Sequence, residues 1–183
     1  EIDWSFSSAT AYRSYLEMVD PVQQNREDYV KLEALIDRME LVEVGKIAPD
    51  FEMNNMKGDP VKLSSLYTQS KFLLVDFWAS TCGPCRIENV HIRSAYDRFQ
   101  NKGFDVLGVS TDVRKEQWLA AVELDELSWT NVCSLEKWND NEVVKSYALR
   151  QVSQNFLLDS SGKIIATDLR GEELTRTLEN LLN

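Results

Sequence analysis

Residues Phe72 to Trp78 form an apolar run broken only by Asp76, and the chain then reads Ala79-Ser80-Thr81-Cys82-Gly83-Pro84-Cys85. Such a run predicts a strand buried on both faces, as in a parallel or mixed sheet. After it, Ile87, Val90, Ala95 and Phe99 give helical apolar spacing over residues 84–101, stopped near Gly103. A strand that enters a helix through Cys-Gly-Pro-Cys places Cys82 at the helix N-terminus. Unpaired backbone N–H groups and the positive end of the dipole favour a thiolate there. Cys85 lies one turn below on the same side, within reach of the first sulfur. The pair can therefore cycle between dithiol and disulfide.

Two other uses of the pair are weaker. Zinc needs four ligands, and the chain offers only Cys133 and a single histidine, His91, beyond the pair. No metal is expected. A structural disulfide closing so small a loop would constrain little of the unfolded chain. Asp76 is the next candidate. A carboxylate inside an apolar strand is costly to ionise, so its pKa should rise, and it can take the proton that Cys85 must lose before attacking. The alternative is a structurally hydrogen-bonded aspartate. Trp78 is read either as an apolar shield beside the dithiol or as ordinary core. His91 reads as a surface helix residue and Cys133 as a small buried hydrophobe.

Length and composition suit one core with an appendage: 183 residues, 43% hydrophobic. The expected division is a helical appendage or linker over residues 1–44 and an α/β domain over residues 45–183. A net charge of −10 argues against nucleic acid as a partner. No stretch of eighteen apolar residues is present, so no span is predicted. In the appendage, Ala11, Tyr15, Met18 and Val19 form one stripe, and Tyr29, Leu32, Leu35, Ile36 and Met39 another, with a break at Asp20-Pro21. Residues 50–53 and 61–63 read as a β-hairpin. Strands are expected over residues 104–110, 131–134, 155–159 and 164–168, and helices over residues 114–126, 140–148 and 172–182. The last helix presents Leu174, Leu178 and Leu181.

Val75-Asp76-Phe77-Trp78-Ala79 followed by Cys82-Gly83-Pro84-Cys85 resembles the thioredoxin active-site motif. The wider chain is similar to the ResA/TlpA-type thiol–disulfide oxidoreductases. The similarity lies in Gly45-x-x-Ala48-Pro49-Asp50-Phe51, in Arg86 and Glu88, and in Phe156-Leu157-Leu158-Asp159-x-x-Gly162-Lys163-Ile164-Ile165-Ala166. It covers residues 45–183. It implies an α/β, thioredoxin-like fold: a central mixed sheet flanked by helices, an N-terminal β-hairpin and a central strand–helix insertion.

The resemblance further implies disulfide exchange with no cofactor beyond the dithiol. Cys82 attacks, Cys85 resolves, Asp76 exchanges the proton, and Glu88 tunes the pair, the other reading of Glu88 being a solvated helix-face residue. The partners would be disulfide-containing protein substrates and an upstream thiol electron donor, in a role in cell redox homeostasis. The expected location is the periplasm or cell envelope, with a membrane anchor in a segment before Glu1; the cytoplasm is the alternative. Substrate is expected to meet Trp78, Thr81, Gly83, Pro84, Val152 and Ser153. Three positions depart from the family. Thr81 replaces a Trp, Val90 replaces a helix-bending Pro, and Ser153 stands where the family has a cis-proline. A cis bond before Ser costs ~2.5–4 kcal/mol, yet the expectation is that the loop keeps it. On the same footing, Ser153→Pro is expected to stabilise. Two other functions remain in view: a redox-weakened binding module, suggested by Thr81 and Ser153, and a thiol peroxidase. The peroxidase motif Pro-x-x-x-Thr/Ser-x-x-Cys is absent, since Val75 and Ala79 hold its first positions.

Overall fold

A computed structural model describes residues 9–20 and 26–182 of the chain. In chain order its elements begin with α1 (Ala9–Glu17), α2 (Glu27–Leu41), β1 (Glu52–Asn54), β2 (Pro60–Lys62), α3 (Leu63–Tyr67), β3 (Phe72–Trp78) and α4 (Gly83–Phe99). They continue with β4 (Phe104–Ser110), α5 (Lys115–Leu124), β5 (Thr130–Cys133), α6 (Glu142–Ser146), β6 (Gln154–Asp159), β7 (Ile164–Thr167) and α7 (Glu172–Leu182).

The apolar run becomes β3, and it takes the centre of a five-stranded sheet ordered β5-β4-β3-β6-β7. β4 runs parallel to β3 and β5 parallel to β4, while β6 is antiparallel to β3 and β7 to β6. The sheet is mixed, as expected. Alternation along β3 sends its side chains to two layers. Leu74 and Trp78 join Cys85, Ile92, Ala95 and Phe99 of α4, Trp118 of α5, and Leu174 and Leu178 of α7. Leu73, Val75 and Phe77 face the other way, onto Leu63 of α3 and Val143 and Val144 of α6. Asp76, two residues from both Leu74 and Trp78, therefore belongs to the α4 layer.

The connection out of α4 tightens into a single turn of 3₁₀ helix, Gln100–Lys102, and stops at Gly103 with φ +104°. A Cβ there would lie 2.9 Å from Lys71 Cγ, so both the left-handed backbone and the close approach call for glycine. The expected hairpin forms from β1 and β2, and an isolated bridge from Asn55 to Val132 docks it on the β5 edge. Leu63 was expected to extend the second hairpin strand. It instead opens α3, where the Ser64 N–H donates to Asp50 Oδ1 at 3.0 Å.

Several expected apolar faces are corrected. In α1 the buried face is Ala9, Tyr12 and Leu16, whereas Tyr15 and Met18 are exposed, Met18 at 84%. Two stripes compete on this helix, and the one that meets α2 wins. In α4 Ile87 is 68% and Val90 55% exposed, and the inner stripe is Cys85, Asn89, Ile92, Ala95 and Phe99. Putting Cys85 inside fixes that rotation, which takes Ile87 and Val90 outward. In α7 Leu174 and Leu178 are buried, but Leu181, in the last turn, is exposed. Of the expected break at Asp20-Pro21, Pro21 lies outside the described residues.

α1 and α2 form their own cluster, in which Ala9, Tyr12 and Leu16 meet Leu32, Ile36 and Met39, with Ala148 from beyond α6. Arg13 of α1 donates to Glu40 Oε1 at 3.0 Å and to Asp37 Oδ1 at 2.7 Å, both on α2. If this pair is an appendage to the sheet domain, Ile36→Ala should cost about 2–4 kcal/mol locally. Hydrogen exchange should then quicken in α1 and α2 and stay slow in β3, β4 and β6. Equal loss of protection in the sheet strands would refute the division.

Candidate active site

The groups around the cysteines come from the C-terminal end of β3, the loops beside it, the first turns of α4 and the segment before α7. β3 ends at Trp78, and Ala79, Ser80 and Thr81 lead to Cys82, which caps α4 with an extended backbone. The Cys82 sulfur accepts from the Cys85 N–H at 3.2 Å, so it stands where the free N–H groups of the helix point. The two cysteines are joined as a disulfide. Cys82 is half-buried and Cys85 is 2% exposed, so one sulfur faces solvent and the other the core. Thr81, Gly83 and Pro84 are exposed and form the rim around Cys82.

Asp76 is buried on the α4 side of β3. Its neighbours in register are Gly108 on β4 and Asn155 on β6. A Cβ on Gly108 would come within 2.3 Å of Asn131 Oδ1, so no side chain fits beside the carboxyl group from that strand. Burial pushes the Asp76 pKa up from its ordinary value to about 7; the Arg170 guanidinium opposes the rise and the Glu88 carboxylate adds to it. A carboxyl group that titrates near neutrality can both take up and return a proton at physiological pH.

Glu88 lies one turn beyond Cys85, half-buried, and its Oε1 accepts from the Gly171 N–H at 2.8 Å. It thus ties α4 to the segment entering α7. Trp78 is buried in the cluster that contains Cys85, and its Nε1 has no hydrogen-bond partner among the described residues. Val152 packs against that same cluster. Cys133 is buried, burial raises its thiol pKa, and its Sγ donates to the Asp112 carbonyl at 3.2 Å. His91 is exposed on α4.

The expected cis bond before Ser153 is not found: no cis peptide occurs among the described residues, and Ser153 has φ +80°. Its N–H donates to the Phe77 carbonyl at 2.9 Å, which ties the 152–153 loop to the end of β3 beside the cysteines. The loop does reach the site, but by a left-handed residue and a backbone hydrogen bond. Ser153→Pro, expected from the sequence to stabilise, is incompatible with both.

Several site residues escaped the sequence reading. Asp112, buried just after β4, accepts from the Ser80 N–H at 2.9 Å, the Ser80 hydroxyl at 2.6 Å and the Ser110 hydroxyl at 2.8 Å. It pins the loop before Cys82. Arg86 pairs with Asp125 after α5 and also donates to the Ser80 carbonyl at 3.1 Å, while Asn89 donates to Asp125 at 2.9 Å. Arg170 and Asn155 complete the Asp76 environment. The polar run Ser110-Thr111-Asp112 at the end of a parallel strand was the available signal, because α/β sites gather there.

Two outcomes follow. The folded chain holds the Asp76 proton to higher pH than the unfolded chain does. Stability from this group is therefore complete below about pH 4 and is lost as pH rises to about 7. Asp76→Asn has no such proton and should flatten this pH dependence, which amounts to on the order of a few kcal/mol across that window. Urea unfolding of the oxidised protein at pH 5 and pH 8 measures it, and an equal slope in both proteins would count against the assignment. At position 153, Ser153→Pro should cost about 3 kcal/mol or more through the lost N–H and the wrong φ. Ser153→Gly should gain up to about 1 kcal/mol by relieving the left-handed conformation. Thermal melts check both, and a stabilised Pro variant would contradict the geometry.

Comparison with known proteins gives the family and the fold. A model of the AhpC/TSA family matches residues 44–167, more than half of the chain. The thiol-disulfide oxidoreductase ResA of Bacillus thuringiensis subsp. konkukian is 27% identical over 143 residues, covering 78% of this chain and 79% of that one. Among solved structures, a C-terminal domain from Bacteroides thetaiotaomicron is 40% identical, covering 77% of this chain and 97% of that one, with a TM-score of 0.71. The thioredoxin domain of a thiol-disulfide oxidoreductase from Bacteroides vulgatus is 38% identical, covering 77% and 99%, also with a TM-score of 0.71. With an exposed and a buried sulfur at the head of α4 and these relatives around it, the chain belongs to the AhpC/TSA family and is a ResA/TlpA-like, thioredoxin-fold thiol–disulfide oxidoreductase.

Proposed function

We propose that the protein works as a reductant of disulfides in protein substrates, with Cys82 as the attacking thiolate, Cys85 as the resolving thiol and Asp76 as its proton acceptor. The observation that carries this reading is the difference in depth within the pair. Cys82 is half-exposed at the helix cap, and Cys85 is buried in the layer that also receives Asp76.

In the reduced protein, the Cys82 thiolate opens a substrate disulfide, forms a mixed disulfide and releases one substrate thiolate. Cys85 then passes its proton to the Asp76 carboxylate, attacks Cys82 Sγ and releases the second substrate thiolate. Two electrons have moved from the dithiol to the substrate, and the pair ends as the Cys82–Cys85 disulfide. A thiol donor upstream restores the dithiol by the same exchange in reverse. Substrate lies over Thr81, Gly83 and Pro84, with Trp78 beneath and Val152 and Ser153 on the far side. Glu88 acts through its charge on Asp76 and its hold on Gly171.

The Gly-Pro spacer places the couple toward the reducing end, where thioredoxin lies at roughly −270 mV against about −120 mV for DsbA. The family resemblance supports action in the cell envelope, with an anchor of the kind that resemblance implies. Among the described residues, no helix is long and apolar enough to cross a membrane.

Insulin reduction with dithiothreitol as donor tests the reading. Wild-type protein should accelerate precipitation, Cys82→Ser should abolish turnover, and Cys85→Ser should retain stable mixed disulfides on Cys82. Mass spectrometry that found adducts on Cys85 in the Cys82→Ser variant would invert the roles. No turnover by the wild type would favour a binding module.

A further inference from the structure

Arg170 is a cation beside the redox site to which the reaction so far gives no work. Its Nη1 is buried and has no hydrogen-bond partner among the described residues, while its Nη2 lies 3.6 Å from Asp168 Oδ1. A buried donor left unbonded is costly, most of all on a charged group. The backbone that carries it is held unusually well. The Asp168 N–H donates to the Asn155 carbonyl at 2.8 Å, the Leu169 N–H to Asn155 Oδ1 at 2.9 Å, and Asn155 Nδ2 back to the Leu169 carbonyl at 2.8 Å. Asn155 is fully buried and is the β6 residue directly opposite Asp76. One residue after Arg170, the Gly171 N–H is fixed by Glu88 of α4. The arginine is thus anchored on one side by the partner of Asp76 and on the other by the helix that carries the cysteines.

We propose that Arg170 is the positioning residue for Asp76: it supplies the fixed positive charge that Asp76 needs as a carboxylate, and its unbonded Nη1 hydrogen is the donor that carboxylate takes up. This rests on the reading of Asp76 as the proton acceptor for Cys85. Arg170 opposes the upward pull of burial on Asp76, and Glu88 works in the opposite sense. Arg170 and Glu88 are the charged groups that act on Asp76; Asp168, next to Arg170 in the chain, is exposed. β4 and β6 contribute Gly108 and Asn155, neither of which titrates. In the step concerned, the proton leaves Cys85 Sγ for an Asp76 carboxylate oxygen. The thiolate then attacks Cys82 Sγ as the Cys82–substrate bond breaks. Arg170 exchanges no proton; it sets how readily Asp76 is found without one.

Stopped-flow mixing of the reduced protein with dithiobisnitrobenzoate tests this. A first thionitrobenzoate leaves when Cys82 attacks, and a second leaves when Cys85 resolves. The rate of the second release should rise with pH through a midpoint. Arg170→Met should move that midpoint up by about one pH unit, making the release roughly tenfold slower below it. Arg170→Lys should keep the wild-type midpoint, because the charge remains. Asp76→Asn should remove the midpoint, and Arg170→Met should add no shift in that background. If Arg170→Met fails to fold, Arg170→Gln reads the same midpoint with a polar side chain retained. A wild-type midpoint in the Met or Gln variant, whatever the absolute rate, overturns the role of Arg170 and leaves that of Asp76 standing. A midpoint that survives Asp76→Asn overturns both.

Discussion

β3 has a hydrogen-bonded strand on each side and a packed hydrophobic layer on each face, so the Asp76 carboxyl group is cut off from water. Much of the site can be understood as an answer to that burial. Glycine stands opposite the carboxyl group on β4 and a neutral amide opposite it on β6. The charges that act on it come from outside the sheet, one of each sign, on α4 and on the segment before α7. Burial raises the group and Arg170 restrains the rise, so it titrates near neutrality, which a proton carrier for a thiol requires.

The loop around Cys82 rests on a second polar arrangement. Asp112 gathers the Ser80 and Ser110 hydroxyls and the Ser80 N–H, while Arg86 and Asn89 converge on Asp125. These contacts fix α4 to the ends of β4 and α5. The cap geometry of Cys82 is therefore set by charge-assisted hydrogen bonds beneath it and owes little to the exposed rim.

Local signals carried the sheet and the cysteine pair. An apolar run seven residues long read as a strand buried on both faces, and Cys-Gly-Pro-Cys after it as the opening of a helix. Asp76 was legible for the same reason, as the one charge in that run. Helix faces were less legible. Ile87 and Val90 fit the apolar period of α4 as well as Ile92 and Phe99 do, and only the burial of Cys85 decides between the rotations. Asn155 and Asp112 were missed because their roles come from contacts across 14 and 32 residues of chain, and Arg170 because it acts on Asp76 from a distant segment, none of which spacing records. The Ser153 loop was misjudged for a related reason. Position alone suggested the family geometry, whereas the backbone bond to Phe77 and the positive φ belong to this chain.

That bond has an evolutionary side. A proline can arrive at position 153 only after the Phe77 carbonyl has found another donor and the loop has left the left-handed region. Neither change is available to a substitution at 153 alone, so a path between the two loop designs runs through the strand end first. The serine loop is an alternative solution held in place by its own backbone, and the two designs are separated by an epistatic step rather than by one codon.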